Sequence, residues 1–231
     1  MKRHLCEVKY LVEFEGGGRC FCGAGFGVGG VDRTFLKTPM GRMIVPGSHM
    51  KGLARQRCEE LLETVGVETT SPHDHEAARR CDNLVSRLFG RPGPENIRCV
   101  FSDLEPPSAG EGSGEQRQRS VVWQQVRMNR RLGRPEHQAL FDTEYSVTAE
   151  KWHGSVTVWL DATDGMQPEL TLVCAGLRLI DALGGGKSTG AGTVKIEISE
   201  VRRDGLSVSL DEVLSPLADE NWPHDPSGGK A

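Results

Sequence analysis

Several groups of side chains have the types and spacing to do chemistry. The stretch VPGSHMKGLAR, residues 45–55, sets Lys51 and Arg55 one helical turn apart behind Pro46, Gly47 and Ser48. Pro-Gly breaks the chain, and Ser48 stands where a hydroxyl caps a helix whose exposed first-turn amides and dipole attract phosphate. The same features also describe an ordinary capped helix with solvated bases. Between Gln116 and Pro135 stand six arginines, at 117, 119, 127, 130, 131 and 134, and no acid. Such a stripe binds a phosphate backbone or makes a solvated basic hairpin. GGGKSTGAG, residues 184–192, presents Lys187, Ser188 and Thr189 in a loop able to approach a phosphodiester closely because glycine has no side chain. The bland alternative is a helix C-cap and turn. Its GKST letters suggest a nucleotide-binding P-loop, but that motif needs glycine where Asp181 stands, with a strand before and a helix after, the reverse of the order here. Finally, Cys58, His73, His75, Cys81 and Cys99 supply nitrogen and sulfur donors of the kind zinc takes. Cys58, one or both histidines and Cys81 would converge if the connection folds back. No CxxC pair supports the site, and buried free cysteines with surface histidines are the alternative.

The elements that must position these groups follow from hydrophobic periodicity. Val8, Tyr10, Val12 and Phe14 alternate along a first strand, residues 5–14. A glycine-rich loop, GGGRCFCGAGFGVGGVDR, ends near Asp32, which taken alone reads as a turn residue. A short extended piece, 42–46, leads into a helix over 50–65, where Met50, Leu53, Ala54, Leu61, Leu62 and Val65 recur at three- and four-residue steps. Residues 81–90 read as a short helix, 105–116 as a mobile loop, 119–128 and 154–160 as strands. Leu172, Val173, Leu177, Ile180 and Leu183 share a helix over 169–183, and 192–199 is the last strand. The order strand, helix, two strands, helix, strand predicts an α+β fold of the ferredoxin-like, RRM-like βαββαβ plan, a scaffold that hosts many functions. The expected organisation is one domain over 1–218, with an insertion at 66–118 and a polar, disordered tail at 219–231.

A composition of 37% apolar and 26% charged residues is ordinary for a globular chain, and its net charge of −4 argues against nucleic-acid binding unless the arginine stripe acts locally. The amino terminus has no apolar signal core, and no run approaches the roughly eighteen apolar residues of a membrane helix. A cytoplasmic protein is expected, with no membrane partner. Its seven cysteines then read as free thiols or metal ligands.

GGVDR at 29–33, IVPGSHMKGLAR at 44–55, LFG at 88–90, VRMNRRLGRPEHQALFDTEYSV at 126–147 and GGGKSTGAGTV at 184–194 form an ordered set. In it the chain resembles the RAMP superfamily, and within that the repeated backbone subunit of type III CRISPR effector complexes. The resemblance implies a right-hand shape with an RRM-like palm and a thumb-like β-hairpin over 124–147. The implied partners are CRISPR RNA, target RNA, further copies of the chain, and other RAMP-type, large and small effector subunits. It places Ser48, His49, Lys51 and Arg55 on the guide backbone, Arg127, Asn129, Arg130 and Arg131 of the thumb on RNA, and Lys187, Ser188 and Thr189 along the same groove. Asp32 corresponds to the residue that cleaves target RNA with a divalent metal, Mg2+ or Mn2+, leaving a 2′,3′-cyclic phosphate once per subunit. Some members carry a structural zinc where Cys58, His73, His75 and Cys81 lie.

Two departures stand out: His49 replaces the second serine of the corner, and Lys187-Ser188-Thr189 replaces an arginine of the last loop. Two alternatives remain within the superfamily. One is a structural guide-RNA-binding subunit that does not cut. The other is a CRISPR RNA processing endoribonuclease using His4 or His49 as general acid or base.

Overall fold

The computed structural model describes residues 3–15, 18–23, 30–70, 74, 76–77, 83–91, 98–107, 119–147, 150–161, 167–219 and 222–223. The first strand, β1 (Arg3–Phe14), buries Cys6, Val8, Tyr10, Val12 and Phe14 on one face, as its alternation predicts. It lies at the centre of a five-stranded sheet. Here β6 (Trp152–Asp161) and β7 (Val194–Arg203) flank β1, β3 (Cys99–Phe101) lies outside β6, and β8 (Leu206–Ser207) outside β7. All the pairings are antiparallel.

Two helices cover the apolar face. Helix α1 (Gly47–Thr64) buries Met50, Ala54, Cys58 and Leu62 along one stripe, while α3 (Pro168–Arg178), with proline in its first turn, buries eight consecutive residues from Leu170 to Leu177. A short helix, α2 (Leu84–Phe89), packs beside them, and α4 (Leu210–Leu214) adds Val213 to the core. Taken in order, β1, α1, β3, β6, α3 and β7 make the split βαββαβ plan predicted from sequence, with strand order β3-β6-β1-β7. Among the described residues no helix is long and apolar enough to cross a membrane.

Three expectations change. The palm's second strand is the three-residue β3, from the stretch expected as an insertion, and not 119–128. Residues 119–128 belong to a separate sheet in which β4 (Arg119–Asn129) and β5 (Arg134–Val147) form a long hairpin, the thumb, with β2 (Arg19–Cys20) on the outer edge of β5. Helix α3 stops at Arg178, five residues earlier than predicted, because Ala182 bridges Thr193 in extended form while Ile180 and Leu183 still reach the core. Trp222, assigned to the disordered tail, is buried in the core.

Candidate functional site: a groove between the Asp32 loop and the thumb hairpin

The segment after Gly30 lies along the thumb. Arg33 forms a parallel bridge to Thr143: its N–H donates to the Asp142 carbonyl at 3.0 Å and its carbonyl accepts from Glu144 N–H at 2.8 Å. The N–H of Asp142 donates to Asp32 Oδ2 at 2.8 Å. Glu144 anchors the next stretch of the loop, accepting from Phe35 N–H at 3.1 Å and from Lys37 Nζ at 2.7 Å. Burial of its carboxyl would raise its pKa, but hydrogen bonds from Lys37, Ser120 and Phe35 outweigh it and hold Glu144 ionised below its ordinary range. Asp32 thereby faces an open groove also lined by Arg33, Arg127, Glu136, His137 and Phe141.

On the thumb, Asn129 does not reach outward. Its Oδ1 accepts from the N–H groups of Arg131 and Leu132 at 3.1 and 3.0 Å, shaping the hairpin tip. Arg130 and Arg131 stand exposed there, while Arg127 is exposed with Glu136 at 3.7 Å.

The helix corner differs from its sequence reading. Helix α1 begins at Gly47, so Ser48 is inside the helix and caps nothing, and the N-cap position is Pro46. The cap comes from a distant residue, with Gly47 N–H donating to Asp103 Oδ1 at 2.8 Å. A carboxylate therefore already occupies part of the site where phosphate was expected, and the cationic side chains must carry any RNA contact. Arg55 is committed to the fold, bonding Glu59 Oε1 at 2.8 Å and the Gly90 carbonyl at 2.9 Å and so pinning the LFG turn to α1. Lys51 forms no ion pair among the described residues. Exchanging Lys51 for alanine should weaken guide-RNA binding and reduce the slope of log K against log salt by about one, the signature of one lost phosphate contact. Filter binding across a salt series checks this, and an unchanged slope would contradict it.

His49 points to the glycine loop, its Nε2 accepting from Gly184 N–H at 3.0 Å. Burial and then the charge of Lys187 lower its pKa below the ordinary 6.5. The folded chain thus holds this imidazole neutral, and the unfolded chain binds the proton more readily. The stabilisation from this bond is complete above pH 6.5 and is lost as pH falls through the lower folded value. Denaturation on either side of pH 6.5 should show that decline in the native chain and a flatter profile in His49→Gln.

Lys187–Thr189 form a single exposed 3-10 turn between Gly186 and Gly190. Thr189 spends its hydroxyl on the Gly186 carbonyl at 2.8 Å, which leaves Lys187 and Ser188 as the outward polar groups of this loop. Gly185 N–H donates to the Phe21 carbonyl, and Arg19 reaches the Thr189 carbonyl at 2.8 Å while its guanidinium lies 4.4 Å over the Trp123 ring. Through β2 the glycine loop is tied to the thumb's root, and through His49 to α1. Three of the expected RNA-binding segments therefore adjoin one another, and the loop bearing Asp32 joins them along β5. Sequence reasoning missed Arg19, Asp103, Asp142 and Glu144, whose partners all lie far along the chain.

Cys58 is fully buried, with Sγ donating to the Leu172 carbonyl of α3 at 3.4 Å, and burial pushes its thiol well above the ordinary value. Through this contact Cys58 packs α1 against α3. His73, His75 and Cys81 lie outside the described residues. Among the described residues no three His, Cys, Asp or Glu side chains gather to hold a metal. A divalent cation at Asp32 needs fewer protein ligands, because Mg2+ takes one or two carboxylates and completes its shell with water and phosphate. Asp32 offers one such carboxylate, exposed and lining the groove, whereas Asp142, whose amide meets it, keeps its Oδ1 buried and is not among the groove's lining residues. His4, the other histidine considered for catalysis, is bound to Asp204 beside the β7–β8 turn at 2.5 Å.

A split-βαβ palm carrying a long basic hairpin, with glycine loops gathered at its root, defines a ferredoxin-like protein with an elaborated groove. The sequence profile of the RAMP superfamily matches residues 18–195, and the chain belongs to that superfamily. Among solved structures it is similar to a chain from a Type III-B Cmr-beta complex, determined by cryo-EM in the apo state, with a TM-score of 0.56 at 11% identity. That match covers 84% of this chain and 97% of the other, and at such identity the likeness is one of fold. No curated protein matches the sequence.

Proposed function

We propose that the chain is a guide-RNA-binding backbone subunit of a type III CRISPR effector complex, repeated along the guide, and that it cuts guide-complementary target RNA at regular intervals with Asp32. The observation that carries this reading is the seating of Asp32, held by a backbone amide of the thumb strand so that the groove beside it is open. RNA brings its own nucleophile, so one oriented carboxylate is enough. Asp32 accepts the proton of a target 2′-hydroxyl, the 2′-oxygen bonds to phosphorus as the bond from phosphorus to the 5′-oxygen breaks, and the 5′-oxygen takes a proton from water, giving a 2′,3′-cyclic phosphate and a 5′-hydroxyl. Asp32 would hold a divalent cation, which when bound supplies charge neutralisation at the phosphate.

The distribution of charge supports an RNA path along the helix corner, glycine loop and thumb. An RRM stacks bases on its open sheet face. Here that face carries ion pairs, Lys9 with Glu200 at 3.0 Å and Lys151 with Glu197 at 2.8 Å, whose carboxylates repel a phosphate backbone. A complex reconstituted with guide RNA and its other subunits tests the proposal. Regularly spaced target cleavage that disappears in Asp32→Ala is expected, and its persistence in that variant would refute the catalytic assignment.

A further inference from the structure

Arg33 follows Asp32 directly and is set with more constraint than an exposed loop arginine requires. Both its backbone polar groups are bonded to β5, to the Asp142 carbonyl and the Glu144 amide. Its guanidinium carbon lies 4.7 Å from the centroid of the Phe141 ring, within the distance at which the ring quadrupole attracts a cation. The other arginine lining the groove, Arg127, has Glu136 beside it at 3.7 Å. Arg33 has no carboxylate or carbonyl partner among the described residues. A guanidinium held over an aromatic ring, with no carboxylate or carbonyl taking its N–H groups, keeps those donors for other acceptors, and its planar fork matches two oxygens of a phosphate.

Resting on the reading of Asp32 as the cleaving residue, we propose that Arg33 is a second catalytic residue of target cleavage: its guanidinium, set on Phe141, donates to the non-bridging oxygens of the scissile phosphate. Those oxygens gain negative charge as the 2′-oxygen bonds to phosphorus and before the 5′-oxygen departs. A donor already positioned there stabilises that charge without reorganisation at the moment of reaction. Phe141 is a positioning residue that acts through Arg33. The pairing of roles suits the backbone: one turn of chain delivers a proton acceptor and a charge-stabilising fork from adjacent positions, both anchored to residues 142–144.

The test uses the reconstituted complex loaded with guide RNA, with single-turnover cleavage of a target carrying a stereopure phosphorothioate at the scissile linkage. Arg33→Ala is expected to cleave the normal target about 100-fold more slowly, with target affinity unchanged. Arg33→Lys, which keeps the charge and loses the fork, should restore only part of the rate. Phe141→Leu should slow cleavage about tenfold, because the fork loses its platform. The decisive readout is the sulfur substitution: one diastereomer slows the native complex, and Arg33→Ala loses that sensitivity. Native cleavage rates in Arg33→Ala beside an inactive Asp32→Ala would overturn the role of Arg33 and leave the function intact. An undiminished phosphorothioate effect in Arg33→Ala would also overturn it. An active Asp32→Ala would overturn the underlying reading.

Discussion

Asp32→Asn should slow target cleavage by about 100-fold or more, the contribution of a positioned proton acceptor, while guide-RNA affinity and melting temperature stay at native values. Asparagine is nearly isosteric with aspartate, and its side-chain carbonyl can still accept from Asp142 N–H, the contact that seats the native carboxylate. The Arg33 bridge and the Glu144 clamp behind the loop are untouched by the exchange. The loss is one of negative charge and basicity: the amide cannot take the 2′-hydroxyl proton and is a poor ligand for a hard cation. The substitution therefore separates chemistry from architecture more cleanly than alanine, which also removes the acceptor for Asp142. Single-turnover cleavage read beside filter binding and thermal unfolding checks all three quantities. A rate equal to that of the native complex would remove Asp32 from the chemistry, and a fall in melting temperature would make it a structural residue.

How far the sequence made the molecule readable depends on where the partners of each residue lie. The stripe on α1 and the alternation on β1 were legible because burial imposes a period within one element, and Met50, Ala54, Leu62, Val8, Tyr10 and Val12 obey it. Residues 119–128 misled for the converse reason. Val121, Val122, Trp123 and Val126 have strand-like composition, yet all are substantially exposed on a hairpin that stands off the palm. Composition says strand and does not say which sheet. The true palm strand, Cys99–Phe101, is too short to show a period and exists through its pairing with β6. At the candidate site, Asp32 is singled out only by resemblance to a family, since one carboxylate after glycines has no signature of its own. Asp142, which bonds it, and Glu144, which bonds Phe35 of the same loop, were invisible because their partners lie 110 and 109 positions away. The cap from Asp103 to Gly47, 56 positions distant, displaced the local choice of Ser48 for the same reason.

The acidic net charge and the proposed RNA ligand are reconciled by segregation. At the hairpin tip Arg130, Arg131 and Arg134 have no ion-pair partner among the described residues, whereas the lysines of the open sheet face are paired with glutamates. Unpaired cations retain their full attraction for phosphate, while paired ones must first break a contact. A phosphate backbone is thus drawn to the thumb and the glycine loop and gains nothing on the sheet.

Gly184→Ala should damage the glycine loop severely, costing stability by about 2–5 kcal/mol from backbone strain and overpacking together. Gly184 has φ +72°, a left-handed conformation that L side chains rarely adopt, and an added Cβ would fall 1.9 Å from the Phe21 carbonyl oxygen. That oxygen belongs to backbone next to β2 and accepts from Gly185 N–H, so it cannot withdraw without loosening the tie between the glycine loop and the thumb. The Gly184 amide also donates to His49. Shifting the loop therefore breaks its links to α1 and to the thumb root at once, and guide binding should fall with stability. Gly190→Ala is the control. It has a nearly identical φ of +77° at the far end of the same turn, but no atom lies within 4 Å of the added carbon. Its cost should be the strain alone, about 1 kcal/mol. Urea denaturation of the two variants measures the difference, which isolates the close approach from the dihedral. Equal destabilisation would mean that Phe21 yields freely and that the loop is not held where the hydrogen bonds place it.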